Sequence, residues 1–161
     1  MSLQPSYIYR CMVTRVVDGD TVDVNLLLGF SISYHNRVRL RGLDTPESRT
    51  RNLKEKKLGL LAKQRLKELI ASAGKVGKRK DIILQTHRDG KGKFGRILGE
   101  LYVNGKSVNV TLIEEGHARD YWGGAKESLG PWTREVDGEW QRWTKEGYVA
   151  YDSPRTLLEV F

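Results

Sequence analysis

The chain has 161 residues, 39% of them hydrophobic and 30% charged, and 28 Lys and Arg against 20 Asp and Glu leave a net charge of +8. This composition fits one folded domain, excludes a disordered chain, and offers no apolar run near the roughly 18 residues that a membrane helix needs. A lone cysteine, Cys11, excludes an internal disulfide and a thiolate metal cage, and the positive balance favours an anionic partner: nucleic acid, an anionic membrane surface or a phosphorylated ligand.

No basic segment followed by an apolar core marks a signal peptide in Met1 to Tyr9. The expected location is the cytoplasm by default, with secretion left open. Cys11 to Val17 predicts a strand, Asp18-Gly19-Asp20 a turn, and Thr21 to Leu28 the second arm of a hairpin. A third strand is expected over Ser31 to Arg41, ending before Pro46, which cannot continue a ladder. Leu58, Leu61, Ala62, Leu66, Leu69 and Ile70 recur at helical spacing, so a helix is expected over Leu53 to Ala73 with Gly74 as its cap. Lys75 to Lys80 reads as a basic loop. Asp81 to Thr86 and Ile97 to Val103 read as strands, joined by the Gly- and Lys-rich segment His87 to Arg96. Asn104-Gly105 predicts a tight turn, and Val108 to Glu115 a short helix ending at Gly116. Trp132, Val136, Trp140 and Trp143 share one face if Thr133 to Lys145 is helical. The expectation there is a helix docked on the body by its aromatic face, with a base-stacking platform as the alternative. The predicted class is α+β: a five-stranded OB-fold β-barrel with a helix between strands 3 and 4 and C-terminal helices, an architecture that often binds oligonucleotides.

Two acidic turns, Val17-Asp18-Gly19-Asp20-Thr21 and Leu43-Asp44-Thr45-Pro46-Glu47, fall at strand ends. Such residues are ordinary in turns, yet carboxylates from two loops on one rim can also converge on a hard cation. Arg39 and Arg96 add planar forks that match phosphate oxygens. A metal, two forks and a free carboxylate are the parts that phosphodiester hydrolysis needs. His35, His87 and His117 lack metal-ligand spacing, so no zinc site is expected, and Gly90-Lys91-Gly92-Lys93 lacks the spacing of a P-loop.

Taken in order, the first acidic turn, Arg39-Leu40-Arg41-Gly42-Leu43-Asp44-Thr45-Pro46-Glu47 and Gly95-Arg96 resemble the staphylococcal nuclease (thermonuclease) family, as do Gly59, Ala62 and Val108-Asn109. The resemblance covers about 10–118, within one domain spanning 1–161, and leaves a Trp-rich extension at 119–161 without an assignment. It implies an OB-fold enzyme that hydrolyses DNA and RNA with Ca2+ to products ending in 3′-phosphate. By the same resemblance, Asp20 and Asp44 would bind calcium through carboxylates and Thr45 through its backbone carbonyl, with Asp18 supporting them. Glu47 would activate water, and Arg39 and Arg96 would clamp the phosphate. The family often has Asp, a basic residue and Tyr before the Gly-Arg pair. Gly92, Lys93 and Phe94 stand there instead, so a phosphate contact from a tyrosine hydroxyl is missing while Lys93 keeps a basic one. Lys93, Phe94, Tyr121 and Trp122 are the expected substrate contacts. The implied partners are DNA or RNA, single strands preferred, with no membrane and a monomer by default. The rival reading is an OB-fold nucleic-acid-binding module without catalysis.

Overall fold

The structure, a computed structural model, describes residues 2–87 and 96–151. Strands β1 (Ile8–Asp18), β2 (Thr21–Gly29) and β3 (Ile32–Leu40) form an antiparallel meander. In β2, Val22, Val24 and Leu26 are buried while Thr21, Asp23 and Asn25 between them are not, the period-2 pattern of a sheet with one face on a core. Next come β4 (Leu43–Asp44), α1 (Leu53–Ala71), a small hairpin of β5 (Lys75–Val76) and β6 (Arg79–Lys80), then β7 (Ile82–His87) and β8 (Ile97–Val103). β9 (Lys106–Ser107), α2 (Val108–Glu114) and β10 (Arg119–Asp120) follow.

β7 pairs antiparallel with both β1 and β8, and β8 pairs parallel with β3 through Val38↔Ile97 and Leu40↔Gly99. The sheet therefore closes on itself in the order β1-β2-β3-β8-β7, the predicted OB-fold barrel. Cys11, Val24, Leu40, Leu84 and Leu101 fill it, and Leu66 of α1 and Leu112 of α2 join the same core. Each such side chain taken from water contributes about 1.5–3 kcal/mol. Burial pushes the Cys11 thiol up to about 12, so it packs as an inert apolar group. Buried Asn109 secures the closure: its Nδ2 donates to the Arg41 and Gly99 carbonyls, and its Oδ1 accepts from the Leu101 amide.

Three expectations change. Lys75–Lys80 is a two-strand hairpin, with Gly77 at positive φ in its turn. The cap of α1 is Ser72 in ordinary helical geometry, and the Gly74 amide donates to Asn104 Oδ1. The expected helix at Thr133 to Lys145 is a three-stranded meander of β11 (Thr133–Val136), β12 (Glu139–Thr144) and β13 (Gly147–Ala150), following a 3-10 turn at Lys126–Leu129. Its physical cause is Asp137-Gly138. Both residues adopt positive φ, 52° and 82°, and close a two-residue hairpin between Val136 and Glu139. The expected aromatic face does not dock as a unit either: Trp132 is buried and Trp143 partly so, whereas Val136 and Trp140 are exposed, and Asn52, the cap of α1, donates to Thr133 Oγ1.

Candidate active site

The two acidic turns meet at one rim of the barrel. Thr21 lies opposite Arg39 in the β2–β3 ladder, and the Leu40 amide donates to the Asp20 carbonyl. This register sets Arg39 Nη2 between two carboxylates, 3.5 Å from Asp20 Oδ2 and 3.6 Å from Asp44 Oδ1. Helix α1 supports the rim from below with small residues. A Cβ on Gly59 would stand 2.5 Å from the carbonyl carbon and oxygen of Glu47, and one on Gly19 would stand 2.8 Å from Ala62 Cβ. Both acidic turns therefore rest directly on the helix surface.

Asp20, Asp44 and Thr45 are buried, whereas Glu47 opens to solvent. Burial raises the Asp20 pKa against the pull of Arg39 and of the Thr21 hydroxyl, which donates to Oδ1 at 2.9 Å. The Glu47 pKa is also raised, by partial desolvation and then by the charges of Asp18 and Asp20. Asp18 folds back to accept from the Gly19 amide, which places its charge beside these groups. Negative charge is thus concentrated at the rim. The Thr45 hydroxyl is buried there with no hydrogen-bond partner among the described residues. Hard oxygen donors on two converging turns and an unsatisfied buried hydroxyl fit a calcium ion. No cluster of three or more His, Cys, Asp or Glu side chains encloses a metal among the described residues. An ion held by Asp20 and Asp44 must then draw its remaining oxygens from carbonyls, water and substrate.

Three further residues bear on the site without having been singled out from the sequence. Lys126 Nζ donates to Asp44 Oδ1 at 2.9 Å. Arg119, directly opposite Asp44 in the β4–β10 pair, brings Nη2 to 3.6 Å from Asp44 Oδ2. Glu55 in the first turn of α1 has its pKa raised by burial and then by Glu47 and Asp44, while the Glu47 backbone hydrogen bond lowers it. An arginine between Ala118 and Asp120 and an acid opening a helix were the available signals, but neither carries a partner in the sequence. All three line a cavity of about 450 Å³ with Asp44, Thr45 and Glu47.

Arg96 links two other cavities. It lines one of about 700 Å³ with Asp18 and Glu47, and another of about 500 Å³ with Arg39, Arg41, Tyr121 and Trp122. Its Nε is buried and unpaired among the described residues. Trp122 lies over Gly42, whose φ is +83° and whose Cβ position is 2.7 Å from the indole, and the Arg41 guanidinium stands 5.2 Å from that ring. The structure thus gathers Asp18, Asp20, Arg39, Asp44, Thr45, Glu47 and Arg96 around one rim, with Tyr121 and Trp122 beside it. Lys93 and Phe94 lie outside the described residues.

The fold and rim define an OB barrel that carries carboxylates and arginines together at one end. The family model described as staphylococcal nuclease homologue matches residues 37–130, more than half of the chain, and the chain belongs to that family. It is 39% identical over 108 residues to the SPbeta prophage-derived endonuclease YokF of Bacillus subtilis (strain 168), a match covering 65% of this chain and 32% of the relative. It is 38% identical over 105 residues to Endonuclease YncB of the same organism, covering 65% and 44%. To the Thermonuclease of Staphylococcus intermedius it is 32% identical over 108 residues, covering 67% and 57%. The chain therefore spans between about a third and somewhat over half the length of these curated relatives.

Proposed function

We propose that the protein is a calcium-dependent endonuclease that hydrolyses phosphodiester bonds of DNA or RNA and leaves 3′-phosphate ends. The observation that carries this reading is the rim itself. Two buried carboxylates lie on either side of Arg39, and Glu47 and Arg96 line one cavity beside them. Asp20, Asp44 and the Thr45 carbonyl would hold the ion, with Asp18 supporting them. When bound, calcium draws negative charge from the phosphate it contacts. Glu47 takes a proton from the attacking water; desolvation and the neighbouring acids raise its basicity for that task. The water oxygen bonds to phosphorus as the bond to the 5′ oxygen breaks; that oxygen leaves with the bonding pair and takes a proton from solvent water, while Glu47 returns its own proton to solvent. Arg39 and Arg96 donate to the remaining phosphate oxygens, where charge builds in the transition state. Tyr121 and Trp122 offer aromatic faces to a neighbouring base, which favours single strands over stacked duplex.

The test is cleavage of a single-stranded oligonucleotide with calcium and then with a chelator, followed by analysis of the ends. Cleavage that needs calcium and leaves 3′-phosphate supports the reading. Binding without cleavage selects the OB-fold module without catalysis.

A further inference from the structure

The three-stranded meander at Thr133–Ala150 lies beyond residues 37–130, where the family model matches. Its contacts nevertheless lead straight to the site. Trp132 and Trp143 stand nearly perpendicular, at 77° with ring centroids 5.1 Å apart, and the Trp143 amide donates to the Trp132 carbonyl. The Arg119 guanidinium sits in the corner they make, 4.0 Å from the Trp132 centroid and 5.8 Å from that of Trp143. Its Nη1 donates to the Leu129 and Gly130 carbonyls at 3.3 and 3.0 Å, and its Nη2 faces Asp44 Oδ2. Arg119 is only 6% exposed. A planar group held by two rings and two carbonyls has no freedom to turn.

We infer that the C-terminal meander is part of the active-site apparatus, and that the corner its Trp143 makes with Trp132 locks Arg119 as a positioning residue that aims the Asp44 carboxylate at the metal. The inference rests on the calcium reading of the rim. With Arg119 Nη2 facing Oδ2 at 3.6 Å, Oδ1 is the oxygen turned toward Arg39 and the Asp20 side, where its one hydrogen-bond donor among the described residues is the half-exposed Lys126 Nζ, which an arriving cation would displace. Outer partners of this kind orient a ligating carboxylate, and their loss typically weakens metal binding.

The sign of the effect separates positioning from simple charge. Arg119 is a cation beside a cation site, so an electrostatic role alone means that weakening its approach to Asp44 tightens calcium binding. Positioning means the opposite. Calcium binding is measured by calorimetry on wild type, Arg119→Lys, Trp143→Leu and Trp143→Phe. Each variant is also followed through thermal unfolding. The expected result is calcium affinity about 10- to 100-fold weaker in Arg119→Lys and Trp143→Leu. Trp143→Phe keeps most of the affinity. Trp143 is only partly buried, so its variants keep the test available if Arg119→Lys does not fold. Unchanged or tighter calcium binding in folded Trp143→Leu overturns the inference. A folded wild type that binds no calcium overturns the metal reading itself, and the inference with it.

Discussion

Gly59→Ala tests whether the helix sets the position of the base. The added methyl would sit 2.5 Å from the Glu47 carbonyl carbon and oxygen and 2.6 Å from the Pro46 oxygen, all of them backbone atoms. Ordinary contact begins at 3.4 Å, so the Glu47 backbone must retreat by about 0.9 Å. Alanine is the better helix former by up to about 1 kcal/mol, while overpacking costs about 1–3 kcal/mol. The net loss of stability is therefore small, about 0–2 kcal/mol. A displacement near 1 Å at a reacting group can cost about 10²-fold in rate. The variant should unfold close to the wild-type temperature and lose about 10²-fold in kcat/KM on a single-stranded oligonucleotide, with saturating calcium. Chemical denaturation and steady-state kinetics on one preparation separate the two effects. Wild-type kcat/KM in folded Gly59→Ala would refute the claim that α1 places Glu47.

Other perturbations probe separate parts of the account. Arg96→Lys keeps charge and loses the fork, so kcat should fall by about 10²- to 10³-fold with little change in substrate affinity; a folded variant with wild-type kcat removes Arg96 from the reaction. Lys63 has its pKa lowered by burial and then by Lys67 and Arg49, which places a group of cations beside the site. Affinity for an uncleavable single strand should fall steeply with salt, and Arg49→Ala should flatten the slope by about 0.7; an unchanged slope shows that Arg49 does not touch the backbone. His117 is held below its ordinary pKa of 6.5 mainly by burial. Its unfolded form therefore takes up a proton first, so the stability it contributes is complete above pH 6.5 and is lost as pH falls toward the folded value. Denaturation of His117→Asn across that range should show a shallower decline than wild type, and equal slopes would exclude His117.

The barrel was legible because its strands alternate plainly: Val22, Val24 and Leu26, then Val38 and Leu40, fall inward in the structure. The parallel closure of β3 on β8 joins residues some sixty positions apart through Val38↔Ile97, a pairing that local patterns do not encode. The tail misled because Trp132, Val136, Trp140 and Trp143 fit helical spacing. The stronger local signal was Asp137-Gly138, whose shared positive φ turns the chain back and brings Trp143 of β12 against Trp132, just before β11. At the site, each motif residue sits beside its sequence neighbours, so Asp20, Arg39, Asp44 and Glu47 were readable in order. Arg119, Lys126 and Glu55 were not, since their partners arrive through the two-residue β4–β10 ladder, the loop before the meander and the first turn of α1.

The central claim is that Glu47 removes a proton from water beside a carboxylate-held ion. Glu47→Gln keeps the size and hydrogen-bonding reach of the side chain and removes its basicity. Single-turnover cleavage of a labelled single strand in saturating calcium, with oligonucleotide affinity measured in parallel, reads chemistry and binding separately. The account predicts a rate lower by about 10²- to 10⁴-fold with affinity retained. A folded Glu47→Gln that cleaves at the wild-type rate would contradict it.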